Sequence, residues 1–169
     1  MRILHILDHS LPLHSGYAFR TASILREQRA LGWETLHLTT PRQGRATADE
    51  ERAGGWTFFR TPFTPTAWSR LPAVGAYLDE MRATAARLDA LVGDYRPDIL
   101  HAHSPVLDAL PALRIGRRRG IPVVYELRAS WEDAAVDHGT TREGGPRYRA
   151  SRALETFALK RVDAITTIC

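Results

Sequence analysis

The feature that most constrains this chain is its rhythm. Short apolar runs of strand length alternate with longer helical segments from one end to the other, with Pro and Gly as punctuation. Residues 2–7 form an apolar run ending at Asp8, the pattern of a buried strand. Residues 17–31 place Ala18, Ala22, Leu25 and Arg29 on one side of a helix, and Gly32 stops it. A second strand is expected from Glu34 to Thr40, closed by Pro41, and a third from Gly55 to Thr61. The polar stretch Arg42–Glu51 between them carries no core pattern of its own. Pro62 and Pro65 forbid regular structure until a long helix over residues 74–92.

The second half repeats the unit. Strands are expected over residues 98–103, 122–127 and 163–168. Helices are expected over 106–119 and 147–161, with a short one capped by Ser130 and running through Ala135. The Gly/Thr-rich segment His138–Pro146 reads as a loop. Alternating units of this length predict an α/β fold of three layers: a mostly parallel sheet of about six strands, helices on both faces, in the Rossmann-like order 3-2-1-4-5-6.

Composition narrows the function classes. At 169 residues the chain suits one domain. Its single cysteine, Cys169, excludes a disulfide framework and a cysteine-rich zinc site. No apolar run approaches the roughly 18 residues of a membrane span. The opening Met1–Leu7 is too short for a signal peptide, so a cytoplasmic domain is the expectation. Residues 114–169 hold eleven Arg/Lys against seven Asp/Glu, the whole of the +4 net charge. That basic half reads first as a solvated helix face, with phosphate or an anionic membrane surface as the alternative partner. Its clusters lack interleaved aromatics, which argues against nucleic acid.

In sheets of this kind ligands bind beyond the carboxyl ends of the strands, where the strand order reverses. That rule selects the loop Asp8–Gly16, the end His103-Ser104, and the run Glu126-Leu127-Arg128 with its continuation to Asp133. The first loop has one glycine where a dinucleotide fingerprint needs three, so no nicotinamide or flavin cofactor is expected. Ser15 and Gly16 precede a helix whose free amides suit an anion, and Arg20 adds charge; a simple Ser15 cap is the plainer reading. His101 and His103 share a strand face in the spacing of zinc ligands. No third or fourth ligand stands at useful spacing, so no metal is expected. His101 is read as a satisfied, partly buried histidine, and His103 at the strand tip as the functional one. Arg128 suits a phosphate or carboxylate, Glu132 or Asp133 suits hydroxyls, and Trp131 offers a face for a sugar ring. Helix-dipole complementarity accounts for the two acids equally well.

Together these stretches resemble the N-terminal domain of the family four retaining glycosyltransferases of GT-B architecture. The matching pieces are Arg2–Leu7, Ser15-Gly16-Tyr17, Leu31–Thr35, Pro97–Ser104, Pro122–Arg128 and Arg161–Thr167. The run Trp131–Thr141 is similar to the exosortase-associated subgroup, linked to bacterial exopolysaccharide systems. The resemblance implies transfer of a sugar from a nucleotide-diphosphate donor to a glycan or lipid-linked acceptor. It implies that the loop at Ser15 and Gly16 approaches the donor diphosphate and the acceptor, and that His103, the expected catalytic residue, borders the transferring sugar; Tyr17, Arg20, Ser104, Arg128, Trp131 and Glu132 are expected on the substrate and acceptor side. Arg128 stands where the wider family commonly has histidine. The family's E-x7-E motif and donor site belong to a C-terminal domain that residues 1–169 do not contain. The chain is therefore expected to be an acceptor-side domain, inactive alone. A stand-alone module binding a small phosphorylated ligand or an anionic membrane is the alternative.

Overall fold

The computed structural model describes residues 1–44, 48–72 and 74–168; part of the Arg42–Glu51 stretch, and Cys169, lie outside the described residues. Seven strands form one sheet: β1 (Arg2–Leu7), β2 (Glu34–Thr39), β3 (Glu50–Ala53), β4 (Trp56–Phe59), β5 (Ile99–His103), β6 (Val123–Leu127) and β7 (Ala164–Thr167). Five α-helices connect them: α1 (Gly16–Ala30), α2 (Gly75–Tyr95), α3 (Val106–Arg119), α4 (Trp131–Asp137) and α5 (Pro146–Leu159). The order is β3-β4-β2-β1-β5-β6-β7, parallel throughout except for β3. The expected order of six parallel strands is present, with one strand added.

That addition corrects the expectation for the stretch ending at Glu51. Glu50–Ala53 pairs antiparallel with β4. The turn between them is Gly54-Gly55, at φ of 58° and 80°, the left-handed pair a two-residue hairpin demands. Three of the four β3 residues are exposed, so no hydrophobic alternation marks the strand. A second correction concerns the proline stretch, which holds one 3-10 turn at Ala67–Arg70. Asp79 of α2 fastens it, accepting from the Thr66 amide at 2.9 Å, the Thr66 hydroxyl at 2.7 Å and the Ser69 hydroxyl. Ser130 stands at the N-cap of α4 without a side-chain bond to the helix backbone. The Leu11–Pro12 and Ser104–Pro105 peptide bonds are cis.

Strand alternation gives the sheet two unlike faces. Leu4, Ile6, Leu38, Leu100, Ala102, Val123 and Tyr125 join residues of α2, α3 and Ala158 of α5 in the apolar core. There α3 approaches so closely that a Cβ on Gly116 would lie 2.7 Å from the Ile121 carbonyl oxygen and 2.6 Å from Val123, which requires glycine. The opposite face carries His5 of β1, His37 of β2 and His101 of β5 in one register row beneath α1. Among the described residues no helix is long and apolar enough to cross a membrane.

Candidate active site at the carboxyl ends of the strands

The histidine face ends in a buried polar chain. Its anchor is Arg128, just past β6, whose side chain is almost enclosed. Arg128 Nε donates to Glu126 Oε1 at 2.9 Å, Nη1 to the Tyr17 carbonyl at 3.1 Å, and Nη2 to Thr21 Oγ1 at 3.1 Å and His103 Nδ1 at 2.6 Å. The guanidinium also lies over the Tyr17 ring, 4.1 Å from its centre.

Because a guanidinium only donates, His103 Nδ1 must accept, and the neutral ring carries its proton on Nε2. That proton goes to His5 Nδ1, 2.9 Å away, which leaves His5 Nε2 to donate to Gln28 Oε1 at 2.8 Å. One direction runs through the whole chain, from Arg128 through His103 and His5 to Gln28 of α1. Burial lowers the affinity of both histidines for a second proton, and their charged neighbours lower it further.

His101 stands apart. Its Nε2 is buried with no hydrogen-bond partner, 3.6 Å from Glu126 Oε2, and burial brings its pKa down to about 4. The other Glu126 oxygen accepts from Arg20 as well as Arg128. His5, His101 and His103 offer one nitrogen each within 4.8 Å of one another, a metal-like spacing. The directed chain uses those nitrogens differently: His5 Nδ1 and His103 Nε2 share one proton, and a guanidinium stands beside them. The donor set fits a hydrogen-bonded network rather than a cation.

Above this floor lies a solvent-facing rim. Asp8 and His9 follow β1, and Ser15 caps α1 by accepting from the Ala18 amide at 3.0 Å. Asp8 Oδ2 meets His9 Nδ1 at 2.9 Å, and His9 Nε2 meets Ser15 Oγ at 2.7 Å. The His9 ring stacks on Tyr17, 4.6 Å between centres, and the Tyr17 hydroxyl accepts from the Asp8 amide at 3.0 Å. Asp108, in the first turn of α3, is buried nearby with Oδ2 unpartnered. Burial and the neighbouring Asp8 push its carboxyl well above the usual range.

The structure therefore brings Ser15, Gly16, Tyr17, Arg20, His103, Ser104 and Arg128 together, at different depths from those expected. His103 is fully buried and satisfied on both nitrogens, while His101 is the one left unpaired, the reverse of the expected division. Ser104 is also fully buried, and its hydroxyl accepts from the Arg128 amide at 3.1 Å. Arg128 faces inward. Arg20 keeps 44% of its side chain exposed and is the cation of this group that meets solvent. Trp131 is 46% exposed, as a stacking face requires, whereas Glu132 is buried with Oε2 unpartnered. Sequence reasoning missed His5, which joins the site only through the pairing of β1 with β5; it selected the loop Asp8–Gly16 but gave no role to Asp8 and His9, which loop geometry turns toward Ser15.

Comparison with known proteins gives the family and the fold. The chain belongs to the glycosyl transferase 4-like domain family, whose pattern matches residues 15–169. No curated protein matches. Among solved structures it is similar to sucrose-phosphate synthase from Thermosynechococcus elongatus, with a TM-score of 0.66 at 12% identity, over 98% of this chain and 42% of that one. It is also similar to MurG of Acinetobacter baumannii, with a TM-score of 0.55 at 12% identity, over 99% of this chain and 41% of that one. UDP-GlcNAc 2-epimerase from Neisseria meningitidis gives 0.54 at 13% identity, over 94% and 38%. The chain thus spans about two fifths of the length of these relatives, and at such identities they establish a shared GT-B half-domain fold. An epimerase among them shows that the fold alone does not choose the reaction.

Proposed function

We propose that this chain is the acceptor-side domain of a retaining hexosyltransferase. In this reading the whole protein moves a sugar from a nucleotide-diphosphate donor to a glycan or lipid-linked acceptor, in the cytoplasm. The setting is exopolysaccharide or cell-surface glycan synthesis of the exosortase-associated kind. The observation that carries the reading is the family match over residues 15–169; the rim gathers its polar groups at Ser15 and His9. The amides of Gly16 and Tyr17 precede the first intrahelical bond of α1 and suit a diphosphate oxygen. Arg20 adds a solvent-facing charge. His103 and Arg128, being enclosed, act as the floor that holds Tyr17 and α1 in place, not as groups that touch a sugar.

The test is nucleoside diphosphate release from a panel of UDP-, GDP- and ADP-sugars. The protein expressed from the full reading frame and residues 1–169 alone are assayed side by side. Release by the longer protein, reduced about tenfold or more by Arg20→Ala and absent from residues 1–169, is the expected result. Sugar transfer by residues 1–169 alone would overturn the assignment of this domain.

A second observation favours a membrane-facing role. The outer face of α5 and the two residues after it set Arg149, Arg152, Lys160 and Arg161 around an exposed Phe157, a basic surface with an apolar centre. Arg118 and Arg119 of α3, by contrast, are tied to Asp89 at 2.6 and 2.8 Å. Binding to phosphatidylglycerol vesicles that weakens with salt and is lost in Arg149→Glu/Arg152→Glu is expected. Binding that persists in that variant would exclude the patch.

A further inference from the structure

Ser15 caps α1, but its hydroxyl has a second relationship. The Ala18 amide already donates to Ser15 Oγ, so the hydroxyl's own proton has one acceptor in reach, His9 Nε2 at 2.7 Å. For Nε2 to accept, the neutral imidazole carries its proton on Nδ1, where Asp8 Oδ2 receives it at 2.9 Å. Hydroxyl to imidazole to carboxylate is a one-way order, the polarity of a nucleophile, its base and the group that orients the base.

The surroundings suit the same chemistry. Tyr17 holds the imidazole from one side by stacking and ties the Asp8 backbone through its hydroxyl. The other Asp8 oxygen lies 3.6 Å from Arg42 Nη1, an ion pair without a hydrogen bond. Gly16 and Tyr17, directly after the serine, present amides without helical acceptors, free donors for an oxyanion formed on a group bonded to Ser15. A Cβ built on Gly16 meets nothing within 4 Å, so a carbonyl has open space to approach. Leu13 and Phe19, two residues before and four after Ser15, are both exposed and offer an apolar surface for a short acyl chain.

We propose that Ser15 is a nucleophile activated by His9 and Asp8, and that it accepts and hydrolyses the acyl group of small activated esters. In the first step Ser15 Oγ bonds to the ester carbonyl carbon while its proton passes to His9 Nε2. The carbon–oxygen bond to the leaving group then breaks, and the departing oxygen takes that proton. In the second step water gives a proton to His9 as its oxygen bonds the acyl carbon; Ser15 leaves and recovers the proton. No oxidant, metal or second domain takes part in these steps.

The experiment treats the protein with a fluorophosphonate probe, locates the adduct by peptide mass spectrometry, and follows p-nitrophenolate release from p-nitrophenyl acetate. The expected adduct is on Ser15, with turnover falling at least about 100-fold in Ser15→Asn and His9→Gln. Asp8→Asn is expected to slow turnover strongly too, because the orienting acceptor is lost. Ser15→Asn is chosen because asparagine caps a helix as well as serine does, so the nucleophile is removed while the cap stays. Circular dichroism checks that each variant folds. An adduct elsewhere, no adduct, or unchanged turnover in a folded Ser15→Asn protein overturns the proposal, and labelling of the unaltered protein decides the matter if a variant does not fold.

Discussion

The two faces of the sheet are buried to the same degree and built on opposite principles. On one, Leu4, Ile6, Leu38, Leu100 and Ala102 are fully covered by α2, α3 and their neighbours. On the other, His5 and His103 are fully covered too, with His37 and His101 nearly so, under a helix whose own buried residues are Ala18, Thr21 and Leu25. The apolar face gains from contact in any direction and tolerates small shifts. The histidine face gains only while each nitrogen keeps its partner and stays uncharged. The functional rim grows from the second face, so the part of the molecule nearest the chemistry is also the part whose stability depends on conditions.

Acid should break that symmetry most. His37 and His101 are each brought down to about 4 in the folded protein, chiefly by burial, and His5 and His103 well below 6.5. In the unfolded chain all four titrate near 6.5. Their stabilising contribution is thus complete above pH 6.5 and is lost as pH falls from there through the folded values. A fall from 6.5 to about 4 corresponds to about 3 kcal/mol for His101 alone. Cooperative unfolding between pH 6 and 4, followed by circular dichroism, is expected. His101→Leu removes a nitrogen that has no partner, so it should move the acid midpoint downward with little loss at pH 7. An unchanged midpoint would mean that His101 titrates freely.

Next in size is Arg128→Ala. It leaves the nearly enclosed Glu126 without its 2.9 Å partner and His103 Nδ1 without a donor, which should cost about 3–5 kcal/mol in urea unfolding at pH 7. Leu100→Ala on the apolar face should cost a similar 2–5 kcal/mol by opening a cavity. The contrast between the faces is sharpened by pH: the Leu100→Ala loss should stay nearly constant between pH 8 and 6. Parallel losses for the two variants across that range would mean that the polar chain adds packing alone.

Much of the fold was legible because period and punctuation are local. The expected helix over 106–119 coincides with α3, and alternating units pointed to the parallel sheet, whose reversal between β1 and β5 is that of the expected Rossmann-like arrangement. What was not legible depends on neighbours distant in sequence. That His101 and His103 share a face is a consequence of the pleat, but His5 enters through strand register 96 residues away. The polar run Glu126–Arg128 read as a rim because charged residues after a strand usually meet solvent. Nothing in one sequence shows that the facing row is histidine, able to take Glu126 and Arg128 inside. Asp8, His9 and Ser15 form hydrogen bonds through the path of a loop, which residue spacing does not encode.

Asp108 tests the contrast from the other side, since it is a polar group on a helix of the apolar layer. Its folded pKa is raised, so its contribution is present below the unfolded value near 3.8 and is lost as pH rises through the folded one. Asp108→Asn removes the charge while keeping the shape, and at pH 7 it should raise stability by about 1–3 kcal/mol, shrinking toward zero near pH 4. A destabilised variant at pH 7 would mean that Arg42 holds the carboxylate ionised after all.

The smallest effect is expected where the two faces meet the rim. Ser15→Ala deletes the cap on Ala18 and the contact with His9, a loss of about 1 kcal/mol, whereas Ser15→Asn should stay within a few tenths of the unaltered protein. Both are read as urea midpoints. If Asn proves as costly as Ala, then the His9 contact, and not the cap, is what the serine contributes to stability. The loop from Asp8 to Ser15 would then be part of the folded core's network rather than a device mounted on it.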